Sequence, residues 1–153
     1  MIAQNRLRAM AEYMQVTCIK NKLDSIHDGR VRSRLQMAIH LDGAITDLTI
    51  GDEYAVQALE TRDGGLWLFL HTVAEHHYPE PYPAEMFEFQ DRFVPLGWCM
   101  RFQLQQGNLA LKRISFSEWA EDDHYYERLF DGDAEAIRSY ERNRVRLLGA
   151  SPR

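Results

Sequence analysis

The side chains of this chain best suited to chemistry fall in two short stretches, His71 with Glu75, His76 and His77, and Glu121-x-x-His124. Imidazoles and carboxylates at suitable spacing bind transition metals or transfer protons. In the first stretch His76 and His77 are sequence neighbours just ahead of a proline-rich connection, so no spacing rule for a metal site is met and they read as solvated loop histidines. The second stretch resembles half of a carboxylate-bridged di-iron site on a helix. That motif needs a second Glu-x-x-His and two further glutamates from a four-helix bundle, and only one copy is present. The run Glu121-Asp122-Asp123 is explained by carboxylates near the start of a helix. Cys18 and Cys99, the only cysteines, are each flanked by apolar residues and too far apart in sequence for a zinc or redox motif, so both are expected to be reduced packing residues. There is no Gly-x-Ser-x-Gly and no glycine-rich loop before a helix, and Asp63-Gly64-Gly65 is a turn. The reading is no catalytic residue, no metal and no cofactor, with an enzyme using Glu121 and His124 as the rival to be tested by mutation.

The chain carries instead more bulky apolar side chains than one narrow core needs. Leu7, Met10, Tyr13, Met14 and Val16 in an N-terminal amphipathic segment, with Trp67 and Phe69 on one strand parity, are the candidate partner-binding residues. Met86, Phe89, Phe93, Trp98 and Met100 are the candidate dimer interface. Apolar residues make up 45% and charged residues 27%, the proportions of a globular domain, and 153 residues suit a single domain spanning 1–153. Residues 41–90 carry one basic and ten acidic side chains, which argues against a nucleic-acid partner, since affinity for phosphate backbones comes from clustered Lys and Arg. No apolar run approaches the roughly 20 residues of a membrane span, and the opening residues lack a secretory signal pattern, so a cytoplasmic location without membrane contact is expected.

These side chains must be positioned by elements legible in the hydrophobic period. Leu7, Met10, Met14 and Cys18 step by three and four, which predicts a helix over residues 1–24. Val31, Leu35, Met37, Ile39 and Leu41 share one parity and predict a strand ending at the turn Asp42-Gly43, followed by extended stretches over 44–50 and 54–61. Residues 66–73 are apolar on both parities and read as the strongest strand. Pro79, Pro81 and Pro83 predict a stiff connection, and Met86, Phe89 and Phe93 a helix over 84–94. Residues 98–105 and 109–116 form a hairpin around Gln106-Gly107-Asn108. A helical region follows, capped by Ser115 or Ser117 and interrupted at Asp131-Gly132-Asp133, where Asp133 caps a last helix. Residues 148–153 are left as a flexible tail. The order α-β-β-β-β-α-β-β-α, with strands grouped together, indicates an α+β fold with a largely antiparallel sheet.

From Ile39 onward this order resembles the class I type III secretion chaperones, the family of the Tir chaperone. The matching positions are Ile39-His40-Leu41-Asp42-Gly43, Leu48-Thr49-Ile50-Gly51-Asp52, residues 54–59 and 66–70, with Met86 to Phe93 as the dimer helix and Gly107-Asn108-Leu109-Ala110-Leu111 in the closing hairpin. The resemblance implies a non-enzymatic homodimer that holds the N-terminal segment of a secreted effector in extended form. The alternative is an immunity or antitoxin protein that neutralises a toxin by direct binding, its acidic middle facing a basic partner.

Overall fold

A computed structural model describes residues 13–38, 45, 47–90 and 94–147 of the chain. Among these, seven strands build one antiparallel sheet, with four helices beside it, so the α+β class and the largely antiparallel sheet stand. Strand β2 (Glu53–Arg62) is its axis. One edge of β2 pairs along its length with β3 (Gly65–Leu70) across the tight turn Asp63-Gly64, whose φ angles of 50° and 75° are those of a two-residue hairpin turn. The other edge is divided. Its first half pairs with β1 (Gln15–Cys18), where Val16 faces Tyr54, and its second half with β7 (Asn108–Phe116), where Leu59 faces Ile114. Outside these lie β4 (Glu80–Pro83) on β3, β5 (Phe87–Phe89) on β1, and β6 (Trp98–Gln105) on β7.

Gln57 stands at the division of β2, where the β2–β3 register slips between Val56 and Ala58. Its side chain is 2% exposed, and a buried amide must find partners. Nε2 donates to the Val145 carbonyl at 2.6 Å, Oε1 accepts from the Val145 N–H at 2.9 Å, and the Gln57 carbonyl accepts from Ser115 Oγ at 2.9 Å. The side chain thus holds the segment after the last helix as a neighbouring strand would.

Several predicted elements are corrected. Residues 15–18 are a strand, not part of a helix: Met14, Val16 and Cys18 alternate inward, and the Met14 carbonyl accepts from the Val56 N–H at 2.8 Å. The rest of the predicted N-terminal helix lies outside the described residues. The predicted strand over 31–38 is helix α1 (Gly29–Ala38), started by the Asp28 carboxylate, which accepts from the N–H groups of Arg30 and Val31. Leu35 is buried and Val31 packs partly against the core, while Met37 is exposed. The turn Asp42-Gly43 lies outside the described residues, and 47–50 is a turn rather than an extended stretch. The proline connection is itself edge strand β4, a place where the missing N–H of Pro81 and Pro83 is tolerated. Residues 84–89 are one 3₁₀ turn (Ala84–Met86) and β5, not a helix, because β1 pairs with this segment and the Met86 carbonyl takes the N–H groups of Ile19 and Lys20.

After β7 come α2 (Ser117–Ala120), α3 (Tyr125–Phe130) and α4 (Ala134–Asn143). Asp133 caps α4 as expected, its carboxylate accepting from Ala136 N–H at 2.9 Å, whereas neither Ser115 nor Ser117 caps α2 through its side chain. These helices lay Trp119, Tyr125, Leu129 and Tyr140 over Ala58, Phe69 and Phe116, a second core distinct from the aliphatic one around Val16, Val56, Leu68 and Leu70.

Helix α1 is tied to the β2–β3 turn by Arg34, whose guanidinium donates to the Gly64 carbonyl at 2.7 Å and to the Glu85 carboxylate. The guanidinium lies so close to Gly65 that a Cβ there would clash with it. Gly65→Ala is therefore expected to displace the guanidinium and cost about 1–2 kcal/mol, the worth of charge-assisted hydrogen bonds at a half-exposed site. Urea unfolding should give nearly the same loss for Arg34→Ala and for the double variant, since all three remove one interaction.

Candidate functional site

The stretch His71 to Glu80 follows β3, and its groups turn to separate partners. His71 Nδ1 lies 2.9 Å from the hydroxyl of Tyr140, which is fully buried, while Nε2 is enclosed without a hydrogen-bond partner. His76 stacks on Tyr78 at 4.8 Å between ring centres and sits 3.3 Å from Glu80, whose other oxygen accepts from the Tyr82 hydroxyl at 3.0 Å. His77 contacts the Phe130 carbonyl at 3.3 Å, and Glu75 is exposed. Among the described residues no group of three or more His, Cys, Asp or Glu is placed to hold a metal ion.

Burial, then the nearby Arg144 charge, lower the His71 pKa to about 4, so the ring is neutral at pH 7. An unfolded histidine titrates near 6.5, so between these values the unfolded chain binds the proton more readily and stability rises with pH. This contribution is complete above about pH 6.5 and is lost as the pH falls towards 4; discounted for the partly exposed ring, it is about 1–2 kcal/mol. Urea midpoints at pH 7 and 4.5 should show the wild-type chain losing that much more than His71→Gln.

Glu121 and His124 do not meet as a catalytic pair. Glu121 is exposed, and the His124 ring, also exposed, lies 3.4 Å from Glu127. Their neighbours are engaged in structure. Burial alone would raise the Asp122 carboxyl, but the His124 N–H and Arg128 hold it low, and Lys112 does the same for Asp123 at 2.9 Å.

Most of the candidate partner-binding residues are core. Met14, Val16, Trp67 and Phe69 are all buried, Tyr13 is half-buried, and Leu7 and Met10 lie outside the described residues. Tyr13 and Val16 do not form an exposed surplus on a helix, because inward alternation on β1 places Val16 in the aliphatic core. Of the candidate dimer residues, Met86 is buried, Phe89 and Trp98 are half-buried against the core, and Phe93 lies outside the described residues. Among the described residues of that group Met100 alone is freely exposed, at 61%.

Met100 belongs to a larger apolar surface on the β6–β7 hairpin. Trp98, Met100, Phe102 and Leu104 alternate on one face of β6, and their cross-strand partners are Phe116, Ile114, Leu111 and Leu109, so both strands of the hairpin are apolar on the same side. Near its base this face joins the cores through Ile114, Phe116 and Trp98. Towards the turn nothing described covers it: Phe102 is 47%, Leu104 76% and Leu109 70% exposed. The reverse face carries Cys99, Arg101, Gln103 and Gln105. The signal available in sequence was the shared parity of two apolar rows across Gln106-Gly107, whose φ angles of 50° and 80° close a second two-residue turn.

Cys18 is buried, which raises its thiol pKa, and Cys99 is half-buried; both are free thiols. No helix of the described residues is long and apolar enough to cross a membrane. No family model, no curated protein and no solved structure matches the chain.

Proposed function

We propose that this chain is a non-enzymatic protein-binding protein whose contact surface is the apolar face of the β6–β7 hairpin. The observation that carries the reading is the cluster of Met100, Phe102, Leu104 and Leu109, four large apolar side chains exposed together on one face. Burying a large apolar side chain contributes about 1.5–3 kcal/mol, so a partner that covered all four would gain several powers of ten in affinity. A segment with apolar residues at alternate positions suits a flat, pleated apolar surface.

The finer reading is a cytoplasmic chaperone that holds the N-terminal segment of a secreted effector in extended form. The helix that the secretion-chaperone resemblance assigns to dimer contact is not formed at 84–89, so this reading rests on the hairpin face. A folded toxin is the alternative partner, favoured by Glu53 and Glu88, which flank Thr17 on neighbouring strands and are both exposed.

The test is retention of a partner from the native host by the wild-type chain and by Leu109→Asp, followed by calorimetry with the identified chain. Leu109 is remote from both cores, so Leu109→Asp is expected to leave the melting temperature within about 2 °C, the shift of a substitution worth about 0.5 kcal/mol or less, and to weaken the partner at least tenfold. Equal affinity of the two proteins refutes the reading. Glu53→Lys with Glu88→Lys, leaving affinity for an effector segment unchanged but abolishing that for a toxin, separates the two partners.

A further inference from the structure

The sheet has three outer strands among the described residues, and two of them are blunted. Strand β4 carries Pro81 and Pro83, and β5 is three residues long. Proline and brevity are the devices by which sheet edges avoid pairing with another chain. Strand β6 has neither: eight residues, no proline, no lysine and a single charge, Arg101. The register slip between Arg101 and Phe102 skips Lys112 on β7, so β6 itself runs without an inserted residue.

We infer that β6 pairs antiparallel with β6 of a second copy of this chain, about a two-fold axis at Phe102. The hairpin closes with Gln105 opposite Asn108, and the pairing of an antiparallel ladder alternates from there, so the N–H and C=O groups of Leu104, Phe102 and Met100 point to the open edge. A two-fold axis at Phe102 joins these groups across the edge. It sets Phe102 opposite Phe102, Met100 opposite Leu104 and Arg101 opposite Gln103, so no apolar residue of the three is unmatched and no like charges meet. An axis at Arg101 would oppose two guanidiniums. The two apolar faces then run on as one, across four strands. This inference rests on the proposed role of the hairpin face and enlarges it: the second copy closes the edge, and the merged face remains for the partner.

The pairing is specific enough to be cross-linked. In this register Cys99 lies opposite Gln105 of the other copy in a pair that exchanges no backbone hydrogen bonds, the closer kind, within the Cα separation that a disulfide spans. Gln105→Cys is expected to give a disulfide-linked dimer as the main species on mild oxidation of the full chain, and Gln103→Cys, which would face Cys99 only with the axis at Arg101, little or none. Adding Cys99→Ser to Gln105→Cys should remove the expected cross-link. The wild-type chain should sediment as a dimer at roughly tens of micromolar, with a melting temperature that rises with concentration, and Phe102→Asp as a folded monomer whose melting temperature does not depend on concentration. A wild-type monomer at that concentration overturns the inference, as does cross-linking of Gln103→Cys equal to that of Gln105→Cys. Leu109 lies on β7, away from the edge, so the two readings fail separately: a monomer whose Leu109→Asp variant loses the partner refutes only the pairing, and a dimer whose Leu109→Asp variant keeps the partner refutes only the binding face.

Discussion

Trp119→Ala is expected to remove about 3–5 kcal/mol of stability, a large share of the 5–15 kcal/mol that holds a typical domain folded. The indole is 1% exposed and is the meeting point of the second core. It stands edge-on to Phe69 at 4.9 Å and to Phe116 at 6.0 Å, and is stacked with Tyr125 at 5.5 Å and Tyr126 at 5.9 Å. Truncation would leave a cavity bounded by the sheet on one side and by α3 on the other, which rigid aromatic walls cannot fill by relaxing. Trp119→Phe, which leaves a smaller void, should lose about half as much. Denaturant unfolding followed by far-ultraviolet circular dichroism measures both; a loss below about 1 kcal/mol for the alanine variant would mean that the terminal helices pack on the sheet without this residue.

Glu60→Ala should cost about 2–3 kcal/mol, because it leaves buried Arg113 with the more exposed Asp123 as its remaining charged partner. Arg113 is 4% exposed. Its Nε donates to Glu60 at 2.9 Å, while Nη1 reaches the Trp119 and Ala120 carbonyls at 3.3 Å each, where α2 ends, and Asp123 at 3.4 Å. The pair therefore joins β2 to the last turn of α2. Replacing both partners by apolar residues, Glu60→Leu with Arg113→Met, should recover part of the loss but not all, since the two carbonyls lose their donor. A double-mutant cycle on unfolding free energies isolates the coupling, and an Arg113→Met chain as stable as wild type would refute the role given to the guanidinium.

What the sequence disclosed about the fold depended on whether one period was visible at a time. Strands β2, β3, β6 and β7 were legible because apolar alternation or an apolar run was bounded by Asp63-Gly64 and Gln106-Gly107, turns with a physical signature of their own. Strand β1 was not. Met14, Val16 and Cys18 are spaced by two, but Met14 and Cys18 are also spaced by four, and with Leu7 and Met10 upstream the helical period matched more residues. The converse error produced α1, where Val31 and Leu35 are one helical turn apart and Met37, which supplied the apparent alternation, is 81% exposed. Met86 and Phe89, three apart, mimic a helical period over residues 84–89; what decides their conformation is pairing with β1, about 70 residues away, which no local window contains. The hairpin surface is half legible: Trp98, Met100 and Phe102 share one parity, but exposure depends on whether another element lies on top, and that is a property of the whole chain.

The divided edge of β2 also dictates an order of assembly. The β2–β3 hairpin closes over a two-residue turn and can form as soon as it is synthesised, but β2 reaches back to β1 across a gap of some 40 residues and forward to β7 across some 50. The Gln57 amide reaches the Ala55 carbonyl locally at 3.3 Å, but its two shorter bonds are both to Val145, 88 residues later. Contacts so distant in sequence slow folding, because a long loop must be closed before any of them is formed. A nascent chain stopped before residue 145 would lack both of these bonds, and pulse-labelled hydrogen exchange during refolding should find the β2–β3 amides protected well before those that join β2 to β7.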